Sequence, residues 1–346
     1  MTYYEKTFPL SFGGKILLCI DKGKVKVWGW ENASCKLEVS GENLNVNYKT
    51  REDELEIELE GREKIVTLYL PKECKFAIEG SYVDGHLVNL EGKIFVDIGK
   101  GNFKFSNIKG DGEIDIEKGE LELENIQGKW FIDNGIGNIT GFSINGEINI
   151  ENGKGNIELI RLNGECDLEN GKGKVKFKDS GGNLNLYNGV GDLTLDNCNF
   201  KRLAAEGKGN TEIVIPSNFH GVWRIFNTGD FYLSIPVIAQ LNFKIESSYL
   251  DNKLPCLNLV KKGDFYEGHL GSKGRGSLYI EGAKNVSIIK GNSNLILDSE
   301  QSGYGEDEYN EETLRILLML KDGIITLEQA NELLETIQNS GGEIYE

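Results

Sequence analysis

Between Gly92 and Asn199 the apolar positions keep a fixed rhythm. Cut at every ninth residue, the stretch reads GKIFVDIGK, GNFKFSNIK and so on to GKVKFKDSG, GNLNLYNGV and GDLTLDNCN, each line opening on glycine. Within a line, apolar residues take the third and fifth places, as at Ile148 and Ile150 or Leu184 and Leu186, with polar residues between them. Period-two alternation predicts a short strand with one face inward. From Gly128 on, odd lines mostly end in Asn-Gly, whereas even lines tend to carry an apolar residue in the eighth place, so the full repeat is eighteen residues, in six copies. Units of this length bury their apolar side only against neighbours, which predicts a stack. The expected fold class is all-β: a single-stranded β-solenoid (β-helix) with two short strands per 18-residue turn, plus a small C-terminal α-hairpin. Each turn would lie ~4.8 Å above the last, and six copies would rise roughly 29 Å.

Stacking places like residues over like. Asn134, Asn152, Asn170 and Asn188 fall eighteen apart. Ligand or metal contact is one reading of that column; the glycine after each asparagine favours corner geometry with a structural ladder of amide hydrogen bonds. Ile108, Ile126, Ile144 and Leu162 would fill the other corner with hydrocarbon. Asp115, Asp133, Glu151 and Glu169 would form an outward acidic stripe, read either as a cation or basic-partner site or, preferably, as a solvated face, because the Gly-Gly-x-Gly-x-Asp spacing of calcium-binding repeats is absent. On the opposite face, Phe142 and Ile160 would lie one above the other between an acidic row, Glu120, Glu122 and Glu124, and a basic row, Lys174, Lys176 and Lys178. That apolar pair is a candidate interaction surface, with cross-turn packing as the equal alternative.

Outside the repeat, residues 1–73 read as alternating strands in a different register, an N-terminal β cap or the start of the repeat domain at 74–298. Trp28 and Trp30 would share one face and sit in the core of that cap. The irregular insert near residues 251–276 reads as a further cap. Residues 299–310 are a polar, acidic linker, and 311–338 change period: Leu314, Leu317, Leu318, Leu333 and Leu334 lie at the spacing of two amphipathic helices, with an exposed stripe that needs another surface.

The formal net charge of −17 over 346 residues argues against nucleic-acid binding, which needs a basic stripe to release counterions. No run approaches the ~20 apolar residues of a membrane span, and MTYYEKTFPL lacks the layout of a secretion signal, so the expected compartment is the cytoplasm, with association to the envelope open. Six scattered cysteines show neither zinc nor disulfide spacing.

The stretch GGKILLCIDKGKVKVWGW, the glycine-led repeat and EGHLGSKGRGSLYIEGAKNVSIIKG together resemble the bacterial putative-adhesin family of unknown function, of YvlB and LiaX type. LRILLMLKDGIITLEQANELLETI is similar to the SHOCT-like hairpin that accompanies it. The resemblance implies a β-solenoid and a binding or scaffolding role in the cell envelope or its stress response, with a protein partner or self-association through the hairpin.

Catalytic chemistry finds little footing in the residues. His86, His220 and His269 lie far apart without a nucleophile motif beside them, and the Lys-Gly pairs lack the Gly-Lys-Ser/Thr ending of a phosphate loop. The expectation is a non-catalytic scaffold or interaction protein without cofactor. The alternative is a polysaccharide-binding or polysaccharide-active β-helix protein, for which a deep cleft with two carboxylates near the insert would be the mark.

Overall fold

The computed structural model describes residues 2–271 and 275–291, and every regular element among them is a β-strand. The repeat is wound so that residues eighteen apart are hydrogen-bonded neighbours in parallel: Ile132 lies beside Ile114 and Ile150, and Ile150 beside Leu168. The inward column Ile114, Ile132, Ile150, Leu168 and Leu186 is at most 3% exposed. Each such side chain removed from water contributes about 1.5–3 kcal/mol, and the gain recurs at every circuit. The neighbouring inward column runs Gly112, Trp130, Ile148, Cys166 and Leu184. Here size is exchanged between circuits: a Cβ on Gly112 would sit 2.2 Å from the Trp130 ring, so the missing side chain makes room for the indole.

The fold class expected from the sequence, a β-solenoid with two short strands per turn and a C-terminal α-hairpin, is corrected by three observations. First, many strands pass through a corner without a break. Leu121–Ile136, Ile139–Lys154 and Ile157–Lys172 each span sixteen residues and belong to both faces. Second, because Ile157–Lys172 and Gly276–Lys290 turn the corner intact, the ladder closes on itself. Ile157–Lys172 is followed through Val175–Lys178, Leu193–Asp196, Thr211–Val214, Phe231–Ile235, Gly276–Lys290, Val222–Asn227, Asn199–Gly207 and Gly181–Val190 back to Ile157–Lys172, a closed barrel of nine parallel strands to which the others are added. Third, there is no helix among the described residues, and the expected linker and hairpin, with Leu314, Leu317, Leu318, Leu333 and Leu334, lie outside them.

The corners also differ from the expectation. The asparagines of the Asn-Gly pairs do not adopt left-handed backbone. At the other corner, a column not read from the sequence does so at every circuit: Asn89, Asn107, Asn125, Ser143, Arg161, Asp179 and Asn197, with φ from 49° to 59°. Asparagine tolerates this region because its short amide bonds locally, which explains why it fills most of the column. Three residues further on, Gly146 has φ +136°, and a Cβ there would lie 2.0 Å from the Gly128 carbonyl oxygen of the circuit before. The close approach of successive circuits is what demands glycine.

At both ends the chain doubles back. Lys15–Ile20 and Lys22–Trp30 form a circuit held between Glu54–Pro71 and Glu73–Val88. Ser34–Arg51 then covers Glu54–Pro71 in antiparallel fashion, and Thr2–Pro9 covers Ser34–Arg51. At the far end Gly276–Lys290 is held beneath Leu241–Asn252, on which the insert lays the antiparallel strands Phe265–Leu270 and Asn258–Lys262. Antiparallel covers of this kind shield edges that would otherwise recruit other chains. Trp28 corrects the expectation of a core pair: Val25 and Val27 take the inward places, so Trp28 points out, 37% exposed, while half-buried Trp30 donates its indole N–H to the Ser34 carbonyl at 2.8 Å.

Candidate functional site

The outer surface is a set of columns, and their chemistry differs by position. The predicted asparagines come together in the interior. Asn134, Asn152, Asn170 and Asn188 are 0–3% exposed, and Nδ2 of each of the first three donates to Oδ1 of the next at 3.0, 2.8 and 3.0 Å. The ends are tied to backbone: Asn134 Nδ2 also donates to the Gly137 carbonyl at 3.2 Å and Asn188 Nδ2 to the Gly191 carbonyl at 3.0 Å. Turned end for end, the Asn152 amide would donate to the Asn134 and Gly137 backbone carbonyls at 2.9 and 3.2 Å, in place of its bonds to the Asn134 and Asn170 side chains. Asn134 Oδ1 is left without a partner because the next position of the column is Ile116.

Asp115, Asp133, Glu151 and Glu169 do stand side by side on adjacent circuits, and the column extends through Asp97 to Glu79. Burial, and then the neighbouring charges of Asp133 and Asp97, raises the Asp115 carboxyl above its ordinary value. Three residues along the strand the lysines read from the sequence only as Lys-Gly pairs fall into a second column, in which Lys100, Lys118, Lys154, Lys172 and Lys208 are interspersed with the exposed apolar residues Tyr82, Ile136 and Val190. Its signal was the lysine that closes several Gly-led lines, which only the register turns into a ladder. Among the described residues no ion pair within 4.0 Å involves a member of either charged column. No group of three or more metal-binding side chains suited to an ion is found there either.

The opposite face is organised differently. Phe142 and Ile160 are register partners, Phe142 40% exposed and Ile160 half-buried, with the Arg161 guanidinium 5.1 Å from the Phe142 ring. The rows around them do not meet each other but find partners on neighbouring circuits: Lys104 meets Glu122 at 3.3 Å, Lys176 meets Glu158 at 2.9 Å and Lys174 meets Asp192 at 3.3 Å.

Beside the insert lies a groove of about 700 Å³ lined by Phe243, Lys244, His269 and Tyr279, whose one lining carboxylate, Glu267, is paired with Lys262 at 3.0 Å. The thiols of Cys35, Cys74 and Cys198 are buried, which pushes each up to about 12, and burial raises that of Cys166 further. These are packing residues of low reactivity. His86 is held below its ordinary value, first by burial and then by Lys104 and Lys26.

No curated protein matches this chain. Among solved structures, a putative cell adhesion protein from Clostridium sporogenes is 15% identical, with 84% of this chain and 97% of that chain covered and a TM-score of 0.20. A putative adhesin from Bacteroides fragilis is 9% identical, with 83% and 97% covered and a TM-score of 0.27. A putative adhesin from Parabacteroides merdae is 17% identical, with 67% and 96% covered and a TM-score of 0.30. Superpositions at these TM-scores carry no inference about this chain. The sequence model of one family, however, matches residues 21–213, more than half of the chain, and with it the protein belongs to the Toastrack DUF4097 family.

Proposed function

We infer that this protein is a non-catalytic scaffold or interaction protein of the bacterial cell envelope, acting in adhesion or in the response to envelope stress. The observation that carries the reading is the exterior: side chains of one kind recur in register at each circuit, as at Asp115, Asp133 and Glu151. One contact is thereby offered many times along a continuous hydrogen-bonded wall, which suits multivalent holding. The resemblance to the adhesin-type family supports the envelope role, and the acidic residues 299–346 are the proposed route to a protein partner. The test is a pull-down from native envelope extract with the full chain and with a chain ending at Asp298. Recovery of the same defined partners by the full chain, and their loss on truncation, is expected; equal recovery would move recognition onto the columns.

A second reading, polysaccharide binding, draws on the groove where Phe243, His269 and Tyr279 lie together beside the insert. Aromatic and polar side chains in a concave strip suit a sugar chain. Co-sedimentation with insoluble polysaccharides, lost on Tyr279→Ala, would favour it. Release of new reducing ends would overturn the non-catalytic conclusion in both readings.

A further inference from the structure

The acidic and lysine columns are built as complementary ladders. Both belong to the same circuits, so Asp97 and Lys100, Asp115 and Lys118, Glu151 and Lys154, and Glu169 and Lys172 stand at four matched levels, three residues apart in each circuit. Between the ladders the outward place is held by Gly99, Gly135, Gly153, Gly171 and Gly189, with Glu117 in the remaining circuit, so little side chain stands there to hold another surface off. On the opposite face, lysines and glutamates pair across circuits within the chain; here like charge is stacked on like charge, a costly arrangement in an isolated molecule.

We propose that this face binds a second copy of the chain in a two-fold dimer whose axis runs parallel to the stack. Rotation about that axis exchanges the two columns and preserves the level of every circuit. The lysine ladder of one copy therefore meets the acidic ladder of the other at each matched level, and the reverse holds at the same time. A two-fold axis across the stack would instead set acid on acid, so the charge pattern selects one dimer. Phe95 and Phe131, 42% and 39% exposed on the same face, add apolar contact beside the ladders. Exposed ion pairs are individually weak, so the dimer is expected to be salt-sensitive.

The test is sedimentation of the full chain at ~0.05 M and ~0.5 M salt, with two charge-reversed variants. One carries Lys118→Glu and Lys154→Glu and presents acid on both columns; the other carries Asp115→Lys and Glu151→Lys and presents base on both. All four positions are exposed and outward, and circular dichroism establishes that each variant is folded. The wild-type chain should dimerise at low salt with affinity falling at least ~10-fold at high salt. Each variant alone should be monomeric, and the two mixed should form a one-to-one heterodimer. A wild-type chain monomeric at low salt, variants that dimerise like it, or a mixture that stays monomeric would each overturn the proposal. So would a wild-type monomer whose lysine ladder instead takes up inorganic polyphosphate.

Discussion

Replacing Asn152 by leucine tests what the interior amides do. In the structure Asn152 accepts from Asn134 Nδ2 at 3.0 Å and donates to Asn170 Oδ1 at 2.8 Å, with all three side chains buried. Losing two hydrogen bonds removes about 2 kcal/mol net. The two neighbours are not affected alike. Asn134 Nδ2 keeps its bond to the Gly137 carbonyl, whereas Asn170 Oδ1 is left buried and bare, a further cost of ~1–3 kcal/mol. Leucine recovers some apolar burial, so the net loss is expected at ~2–4 kcal/mol. Replacing Asn149, which points outward one strand place before Ile150, by alanine should change stability by less than ~0.5 kcal/mol. Urea unfolding followed by the fluorescence of buried Trp130 measures both. The sharper result is the cycle with Asn170→Leu. Once Asn152 is gone, removing Asn170 also removes the orphaned carbonyl, so the double variant should be less destabilised than the sum of the singles by ~1 kcal/mol or more. Strict additivity, or an Asn152→Leu cost no larger than that of Asn149→Ala, would refute the ladder as a source of stability.

Gly146→Ala should cost at least ~3 kcal/mol or abolish folding, since its Cβ meets the Gly128 carbonyl oxygen at 2.0 Å; thermal unfolding or the soluble yield reads this. Ser143→Asn should raise Tm by ~1–3 °C, because asparagine suits φ 59° better than serine and its Nδ2 would reach Asn125 Oδ1 as Asn125 Nδ2 reaches Asn107 Oδ1 at 2.9 Å. For Asp115 the folded chain raises the carboxyl above its ordinary 3.8, so the charged form is penalised at neutral pH and the penalty is relieved as pH falls through the folded value. In dilute monomer Asp115→Asn should therefore raise Tm at pH 7 by ~1 °C, an advantage that fades as pH falls through the folded value toward 3.8 and is gone below it; an advantage that grows in acid would contradict the sign.

How much of this was legible in the sequence follows from where each interaction acts. The strands and their inward residues were readable because alternation at Ile148 and Ile150 is a local pattern, and the eighteen-residue offset that pairs Asn134 with Asn152 is a count along the chain. What escaped were features set by the path at the corners. The left-handed column ends in Arg161, Asp179 and Asn197, three residue types that share a backbone conformation and no composition. The closed ladder depends on Ile157–Lys172 bending instead of breaking, which alternation does not specify. Trp28 was misplaced for a related reason: a glycine between two tryptophans indicates a shared face, but Val25 and Val27 fix which face is inward. Of the candidate surface residues, Phe142 and Ile160 proved to be register partners, and the lysines were read only as Lys-Gly pairs unlike a phosphate loop, because no more than one stands in each circuit and Ile136 and Val190 interrupt the column.

The two outer faces show how one backbone carries two electrostatic strategies. Where opposite charges succeed one another along the stack, as with Glu158 and Lys176, they pair within the chain and less remains to attract a partner. Where like charges succeed one another, as from Asp97 through Glu169, each new circuit adds repulsion to the column and attraction toward anything of opposite pattern. The backbone does not distinguish the cases, because its ladder hydrogen bonds are the same on both faces. Substitution at outward places can therefore convert one face into the other at small cost to the fold, since the buried columns of isoleucine, leucine and asparagine hold the circuits in register whatever the outer side chains are. Self-association through this face is thus set by the order of charges from circuit to circuit, and it is that order, at positions such as Lys118 and Asp115, which the reversal variants address.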